Sequence, residues 1–282
     1  MIKFSFIIVS WNVRDYLEEC LRSLEDQIDD ECEVIAVDNN STDSTAQMFE
    51  QRKWVQAILS KENLGFARAN NLGARSATGE YFVFINPDTK AQADFILRLK
   101  RFCEEHPQIA FFGGKLKNTD LSVQLSTRRL PRLSDQVFRS LKLHRIFPNA
   151  RVWTNYICRD FDYDKMSRVE QIMGAFMVIR KEVFLELKGF RENYFLWFEE
   201  VDLCRRALQN GIQVWYAPDV ELIHYGGQSF SRLGPKKQIF FTSSLIKYFW
   251  FNGDFISASI IALVFPINIC LTYLGALFSN HR

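Results

Sequence analysis

Asn63-Leu-Gly-Phe-Ala-Arg-Ala-Asn-Asn-Leu-Gly73, followed by Tyr81-Phe-Val-Phe-Ile-Asn-Pro-Asp88, is the stretch on which the fold turns. Tyr81 to Ile85 is apolar and aromatic throughout, the composition of a central strand covered on both faces. Asp88 does not suit that interior, so it is expected at the strand's C-terminal mouth. Ligands of open α/β sheets bind at that edge. A carboxylate there can hold a divalent metal, and the metal can hold a diphosphate.

Working outward, strand and helix patterns alternate through the first half. Phe6 to Val9 and Glu33 to Val37 read as strands. Between them Tyr16, Leu17, Cys20, Leu21 and Leu24 recur at helical spacing. Ser10 and Asn12 close the first strand and Asp38 the second. In the polar turn Asp38 to Asp43, Ser41 is a candidate cap for a helix running to about Gln51. Val55 to Leu59 is a third strand, and Phe66 to Ala77 a helix closed by Gly79. Ala91 to Glu105 is a helix stopped by Pro107, and Ile109 to Phe112 a fifth strand. This order predicts a mostly parallel sheet with helices on both faces.

The second half is less regular. Residues 117–168 contain no long predicted element. There Arg128, Arg129, Arg132, Arg139, Lys142, Arg145 and Arg151 meet few acidic residues. Leu133, Val137 and Leu141 recur at i+4 among them, which fits a solvated cover helix or a helix on a membrane surface facing anionic lipid or a lipid diphosphate. Gln171 to Ile179 returns to a strand pattern. Lys181 to Leu187 is a short helix ended by Gly189. Phe198 to Asn210 is a helix carrying Glu199, Glu200 and Asp202. Val214 to Ala217 and Val220 to Tyr225 read as two short strands around Pro218.

Composition bounds the function. The chain has 282 residues, enough for one large α/β domain and an appendage, and is 48% hydrophobic. A net charge of only +2 argues against nucleic acid as a main partner. Six scattered cysteines without CxxC spacing read as reduced thiols of a cytosolic domain. No signal peptide is expected. Phe255 to Phe278 carries no charge over 24 residues, and a membrane-spanning helix needs about 20. Pro266, Asn268, Ser257, Ser259 and Thr272 leave open a hairpin or an in-leaflet helix. The preceding Lys236 to Asp254 mixes lysines with Phe, Tyr and Trp, an interfacial composition. The expected division is residues 1–235 as the catalytic domain and 236–282 as a membrane-associated segment.

Seven pieces in order resemble the family 2 glycosyltransferases of GT-A fold, and within them the rhamnosyltransferase-like branch of bacterial cell-surface polysaccharide synthesis. They are Ile8-Val-Ser-Trp-Asn12, Val37 to Asp43, Asn63 to Gly73, Asn86-Pro-Asp88, Gly174 to Val178, Phe198-Glu-Glu-Val-Asp-Leu203 and His224-Tyr-Gly-Gly-Gln-Ser229. Each alone is a weak motif; their order carries the signal. The resemblance implies inverting transfer of a sugar from a nucleotide diphosphate donor, dTDP-rhamnose or a UDP-sugar, to a lipid-linked saccharide. It places the enzyme at the cytoplasmic face of the inner membrane.

It also implies roles. Asp38 accepts hydrogen bonds from the base or ribose, as an ionised carboxylate can. Ser10, Asn12, Asn63, Gly65 and Asn86 belong to the nucleotide-sugar site, with Arg68 or Asn70 turned toward the diphosphate. Gly65 allows close backbone approach. Asp88 and His224 hold Mg²⁺ or Mn²⁺. Glu200 stands where the family carries its general base, usually an aspartate; the extra methylene moves the carboxylate by about 1.5 Å. Glu199 and Asp202 are the alternative carboxylates. Two other classes were weighed: a sugar-phosphate nucleotidyltransferase, which wants a glycine-rich loop that Ser10 to Arg14 lacks, and an inactive scaffold subunit. A dinucleotide dehydrogenase is disfavoured because no GxGxxG follows a strand.

Overall fold

The computed structural model describes residues 1–227 and 234–279, with side chains described except at Pro235 and 274–279. Gln228 and Ser229 of the last motif lie outside the described residues, as do the side chains closing the apolar run.

Eleven strands are described: β1 Phe4–Ser10, β2 Cys32–Asp38, β3 Val55–Leu59, β4 Tyr81–Ile85, β5 Thr89–Ala91, β6 Phe111–Lys117, β7 Thr127–Arg128, β8 Ser167–Val169, β9 Gln171–Ile172, β10 Phe176–Arg180 and β11 Val214–His224. The main sheet runs β3-β2-β1-β4-β10-β6-β11-β5, with β8 on β11; β7 and β9 form a small second sheet. β1 to β4 pair in parallel, as does β6 with β11. β10 is antiparallel to both neighbours, so the sheet is mixed beyond β4.

The central strands β1, β2, β4 and β10 are buried on both faces, which explains their unbroken apolar runs. Phe6, Ile8, Val34, Val83 and Ile85 pack on one side against Leu17, Leu21 and Leu24 of α1 (Arg14–Glu25) and Phe95 and Leu99 of α4 (Phe95–Glu105). The alternate residues Ile7, Ile35, Phe82 and Phe84 meet the other layer. That layer is α3 (Gly65–Ser76), α8 (Lys181–Glu186) and α9 (Glu199–Gln209). Phe82, Phe84, Phe184 and Phe190 form an aromatic cluster there, with edge-to-face contacts such as Phe84–Phe190 at 5.0 Å. Such pairs add roughly 0.5–1.5 kcal/mol each beyond buried area.

Register brings the predicted site residues to one edge. Ser10 pairs with Asp38 and Ile8 with Ile85, so β1, β2 and β4 end together. β10 begins at the same edge, Phe176 opposite Ile85, and the Asn86 amide donates to the Ala175 carbonyl. β11 finishes there too, with the Tyr225 amide donating to the Asp88 carbonyl.

Several elements differ from the sequence reading. β11 is one strand, its register shifting between Ala217 and Glu221; Pro218 lacks an N–H, and a bulge accommodates it. The expected strand Gln171 to Ile179 breaks at Met173-Gly174-Ala175, which leaves the sheet to line a cavity. Residues 89–91 are a strand on β11, so α4 starts at Phe95 rather than Ala91. Ser41 is not a helix cap: its hydroxyl accepts the Asn12 amide at 2.9 Å, and α2 is only Thr45–Phe49. The region 117–168 holds α5 (Leu133–Ser140), α6 (Leu143–Ile146) and α7 (Arg151–Tyr156), each too short for periodicity to define alone.

Two final helices cover one end. α10 (Lys237–Phe251) packs Leu245, Tyr248 and Phe249 on Tyr194, Phe198 and Val201. α11 (Phe255–Ser279) starts at Asp254, whose carboxylate accepts the Ser257 amide. It buries Ala258, Ile261 and Asn268, whose amide donates to the Ser140 carbonyl at 2.5 Å. Its outer side leaves Ile256, Leu263 and Ile267 exposed, and Phe255–Tyr273 is long and apolar enough to cross a membrane.

Candidate active site

Three adjoining cavities follow the C-terminal edge. The first, about 230 Å³, lies among Asn39, Asn63, Gly65, Asn86, Asp88 and Phe195. Asn39 builds its loop: its Oδ1 accepts the Leu64 amide, and its Nδ2 donates to Asn63 Oδ1 and the Gly65 carbonyl. Gly65 sits at φ +76°, and a Cβ there would lie 2.4 Å from the Phe195 carbonyl oxygen. Only glycine fits that approach.

The remaining predicted nucleotide residues support this edge or lie off it. Asp38 is buried and accepts the Ser41 amide at 3.2 Å. Ser10 is buried beside it in the paired strand. Asn12, at φ +54°, ties two loops together by accepting the Thr42 amide at 2.7 Å. Arg68 faces solvent and pairs with Glu62 at 3.6 Å. Asn70 is buried and donates to the Phe66 carbonyl of its own helix. Neither Arg68 nor Asn70 lines the three cavities. A helix that buries Ala67, Asn70 and Ala74 has its position 68 turned outward.

The second cavity, about 360 Å³, shares Phe66, Asn86 and Leu196 with the first and adds Gln124, Gly174, Glu199, Glu200 and His224. His224 Nε2 lies 3.4 Å from Asp88 Oδ1, and both side chains are buried. The other ring nitrogen, Nδ1, faces Gln124 Oε1 at 2.7 Å. Gln124 Nε2 donates to Asn118 Oδ1 and to the His224 carbonyl, so its oxygen is the atom facing the ring. Nδ1 therefore carries the proton in the neutral ring, and the Nε2 lone pair looks toward a carboxylate oxygen. Two lone pairs facing across a buried gap fit a cation between them. No group of three or more His, Cys, Asp or Glu gathers around a common point among the described residues. Asp88 and His224 would thus supply two ligands, leaving room for phosphate and water oxygens.

Glu199 and Glu200 open α9 after Trp197 and Phe198, both in left-handed backbone at φ +65° and +73°. Such conformations cost bulky residues about 1–3 kcal/mol each and cluster where a site demands them. Glu199 Oε2 and Glu200 Oε2 have no hydrogen-bond partner among the described residues. Burial raises the Glu200 carboxyl to about 7. Glu199 is driven well above the usual carboxylate range, first by burial and then by the Glu200 charge. Glu200, raised to about 7, exchanges a proton near neutral pH, the poise of a general base. Asp202 lies outside the cavities. It is fully buried, pairs with Arg206 Nε at 2.7 Å and Arg191 at 3.5 Å, and accepts from the Tyr194 hydroxyl.

The third cavity, about 540 Å³, shares Met173, Trp197, Glu200, Gly226 and Gly227 with the second. It adds Arg128, Arg139 and, from α10, Lys237, Gln238 and Phe241. The helix after the expected boundary at 235 therefore forms part of the site wall. Gln124, Trp197 and Phe195 were missed in the sequence, since glutamine and aromatics outside a motif carry no signal of their own. Arg139 was visible only as one of a run of basic residues.

The fold has known counterparts. The chain is similar to rhamnosyltransferase WbbL of Escherichia coli K12, 26% identical over 232 residues that cover 78% of this chain and 82% of that protein. It is equally similar, at 26% over 238 residues, to the N-acetylglucosaminyl-diphospho-decaprenol L-rhamnosyltransferase of Mycobacterium tuberculosis H37Rv, covering 80% and 77%. Among solved structures, the Pyrobaculum calidifontis mannosyltransferase PcManGT in complex with GDP-Man and Mn²⁺ superposes with a TM-score of 0.58 at 17% identity, over 99% of this chain and 75% of that one. S. aureus TarS 1–349 in complex with UDP-GlcNAc gives 0.56 at 21%, over 88% and 65%. The fold is the expected GT-A arrangement. The sequence model described as "Glycosyl transferase family 2" matches residues 5–187, from the first strand through α8, and the chain belongs to that family, as a rhamnosyltransferase-like glycosyltransferase.

Proposed function

We propose that this glycosyltransferase is inverting and metal-dependent, transferring rhamnose from dTDP-rhamnose, or a sugar from a UDP donor, to a hydroxyl of a lipid-linked saccharide. The observation that carries this reading is Glu200. Its carboxyl is raised to about 7, its Oε2 has no partner among the described residues, and it lines a cavity continuous with the Asp88–His224 pair. The first cavity, walled by the Asn63–Gly65 loop, is the nucleotide's place. Glu200 takes the proton of the acceptor hydroxyl as that oxygen bonds to the anomeric carbon and the bond to the donor phosphate breaks. One base acting on one in-line displacement inverts that carbon. Asp88 and His224 would hold Mg²⁺ or Mn²⁺, which would supply positive charge against the leaving diphosphate.

The rhamnose assignment draws on two relatives whose names specify rhamnosyl transfer, one of them to a diphospho-decaprenol acceptor. Membrane attachment at the cytoplasmic face draws on the apolar stretch Phe255–Tyr273, with Lys236, Lys237 and Lys247 on its domain side. The nucleotidyltransferase alternative lacks a glycine-rich loop after β1. The inactive-scaffold alternative does not account for two buried carboxylates facing the cavity, each with an oxygen that has no partner among the described residues.

The test is calorimetric binding of dTDP and UDP with and without Mn²⁺. Wild-type protein is expected to bind in a Mn²⁺-dependent manner, and Asp88→Ala to lose that dependence. Undiminished Mn²⁺-dependent binding by Asp88→Ala removes the metal role.

A further inference from the structure

The third cavity contains more positive charge than the protein neutralises. Arg128 and Arg139 line it from the 117–168 region and Lys237 from α10. Among the described residues none of the three makes an ion pair with a carboxylate. Arg128 donates to the Leu125 and Thr127 carbonyls at 2.9 and 2.6 Å. The Arg139 guanidinium stacks 3.9 Å over the Phe241 ring. Nearby acids are committed elsewhere: Glu170 to Arg129, and Asp135 to the Arg132 amide and Gln136, although its charge also acts on Arg139. Among the described residues Glu200 is the one carboxylate in the wall.

Crowding of like charge is felt by the neighbours. Lys142, which donates to Gln238, is pushed down to about 8 by burial and then by Arg145, Arg139 and Lys237. His144 is lowered by burial and by Arg139, Arg145 and Lys142. Arg128 and Arg139 are half-buried and Lys237 is exposed beside them; cations held together without an anion cost free energy that an anionic ligand recovers. One further donor waits in the wall: Ser126 Oγ, on a side chain over nine-tenths buried, has no partner among the described residues. A hydroxyl and guanidinium groups together suit phosphate oxygens.

The position of this charge is informative. On one side stands Glu200. On the other, the helix bearing Arg139 is held to the apolar α11 by the Asn268–Ser140 hydrogen bond. Apolar helix, cations and base thus lie in series. We propose that Arg128, Arg139 and Lys237 form an acceptor subsite that binds the diphosphate linker of a prenyl-linked saccharide, separate from the donor diphosphate at Asp88 and His224. The lipid runs toward α11 and the sugar hydroxyl reaches Glu200. This deepens the transferase reading and rests on it for the sugar's role, whereas the anion subsite stands on the charges alone.

The experiment uses the full chain in nonionic detergent, titrated with farnesyl diphosphate in the presence of saturating dTDP and Mn²⁺. Farnesyl diphosphate is expected to bind alongside the nucleotide. Arg139→Gln and Arg128→Gln should each weaken it about tenfold, the usual worth of a charge-assisted hydrogen bond. Lys237→Gln, at an exposed helix start where folding is not at risk, should weaken it several-fold. dTDP affinity should stay within twofold in all three. Inorganic pyrophosphate should compete and farnesol should not. Displacement of farnesyl diphosphate by dTDP would return these cations to the donor, and unchanged affinity in Lys237→Gln and folded Arg139→Gln would eliminate the subsite. Farnesyl diphosphate binding with no nucleotide binding would refute the transferase reading while leaving the subsite supported.

Discussion

Replacing Glu200 with glutamine should slow the enzyme and stabilise the fold, with opposite pH signatures. Burial raises the Glu200 carboxyl from 4.5 to about 7, so ionising it costs the folded protein about 3 kcal/mol at high pH. A folded value above the unfolded one gives stability that is complete below pH 4.5 and lost as pH rises through about 7. Glutamine is neutral throughout and escapes that loss. Glu200→Gln should therefore match wild type at pH 4.5 and exceed it by up to about 3 kcal/mol at pH 8, read from urea midpoints at each pH. Turnover behaves oppositely. An amide cannot take a proton, so kcat should fall about 10²–10⁴-fold, the usual worth of a general base, with dTDP affinity retained. Wild-type kcat/KM should drop tenfold per pH unit below about 7. The assay is release of free dTDP as rhamnose passes from dTDP-rhamnose to a prenyl-diphosphate-linked N-acetylglucosamine. A flat profile from pH 5.5 to 8, or a variant keeping a tenth of the rate, refutes the assignment; if Glu199→Gln alone is dead, the base is the other carboxylate.

Gln124→Leu removes the acceptor that orients His224 and should weaken Mn²⁺ binding about 10–100-fold, measured by EPR titration of free Mn²⁺, without lowering the melting temperature below function. Equal Mn²⁺ affinity would separate Gln124 from the metal. Gly65→Ala places a methyl against the Phe195 carbonyl in left-handed backbone, so nucleotide affinity and stability should fall together, the latter by about 1–3 kcal/mol; dTDP binding within twofold of wild type would contradict the close packing. Deleting 255–282 should shift the protein from the membrane pellet toward the soluble fraction. If the fractions are unchanged, α11 is not the anchor.

The apolar stretches Phe6 to Val9, Glu33 to Val37 and Tyr81 to Ile85 were legible because strands buried on both faces leave continuous apolar runs. With polar residues at their ends, those runs mark the C-terminal edge, where Asp88 lies. Local pattern could not see partners distant in the chain. Gln124 is meaningful only because folding brings it to His224, 100 residues away. Arg68 and Asp202 show the converse. Each carries chemistry suited to the site, but helix phase turns Arg68 to solvent and Arg206 engages Asp202. The break after β9, the bulge at Pro218 and the antiparallel insertion of β10 are answers to sheet register, which depends on neighbours and not on residue order. The sequence by itself therefore determined the central sheet, its family and the carboxylates available at its edge. Tertiary structure alone decided which of them are left unpaired in the cavity, because desolvation and ion pairing are properties of the surroundings a side chain acquires on folding.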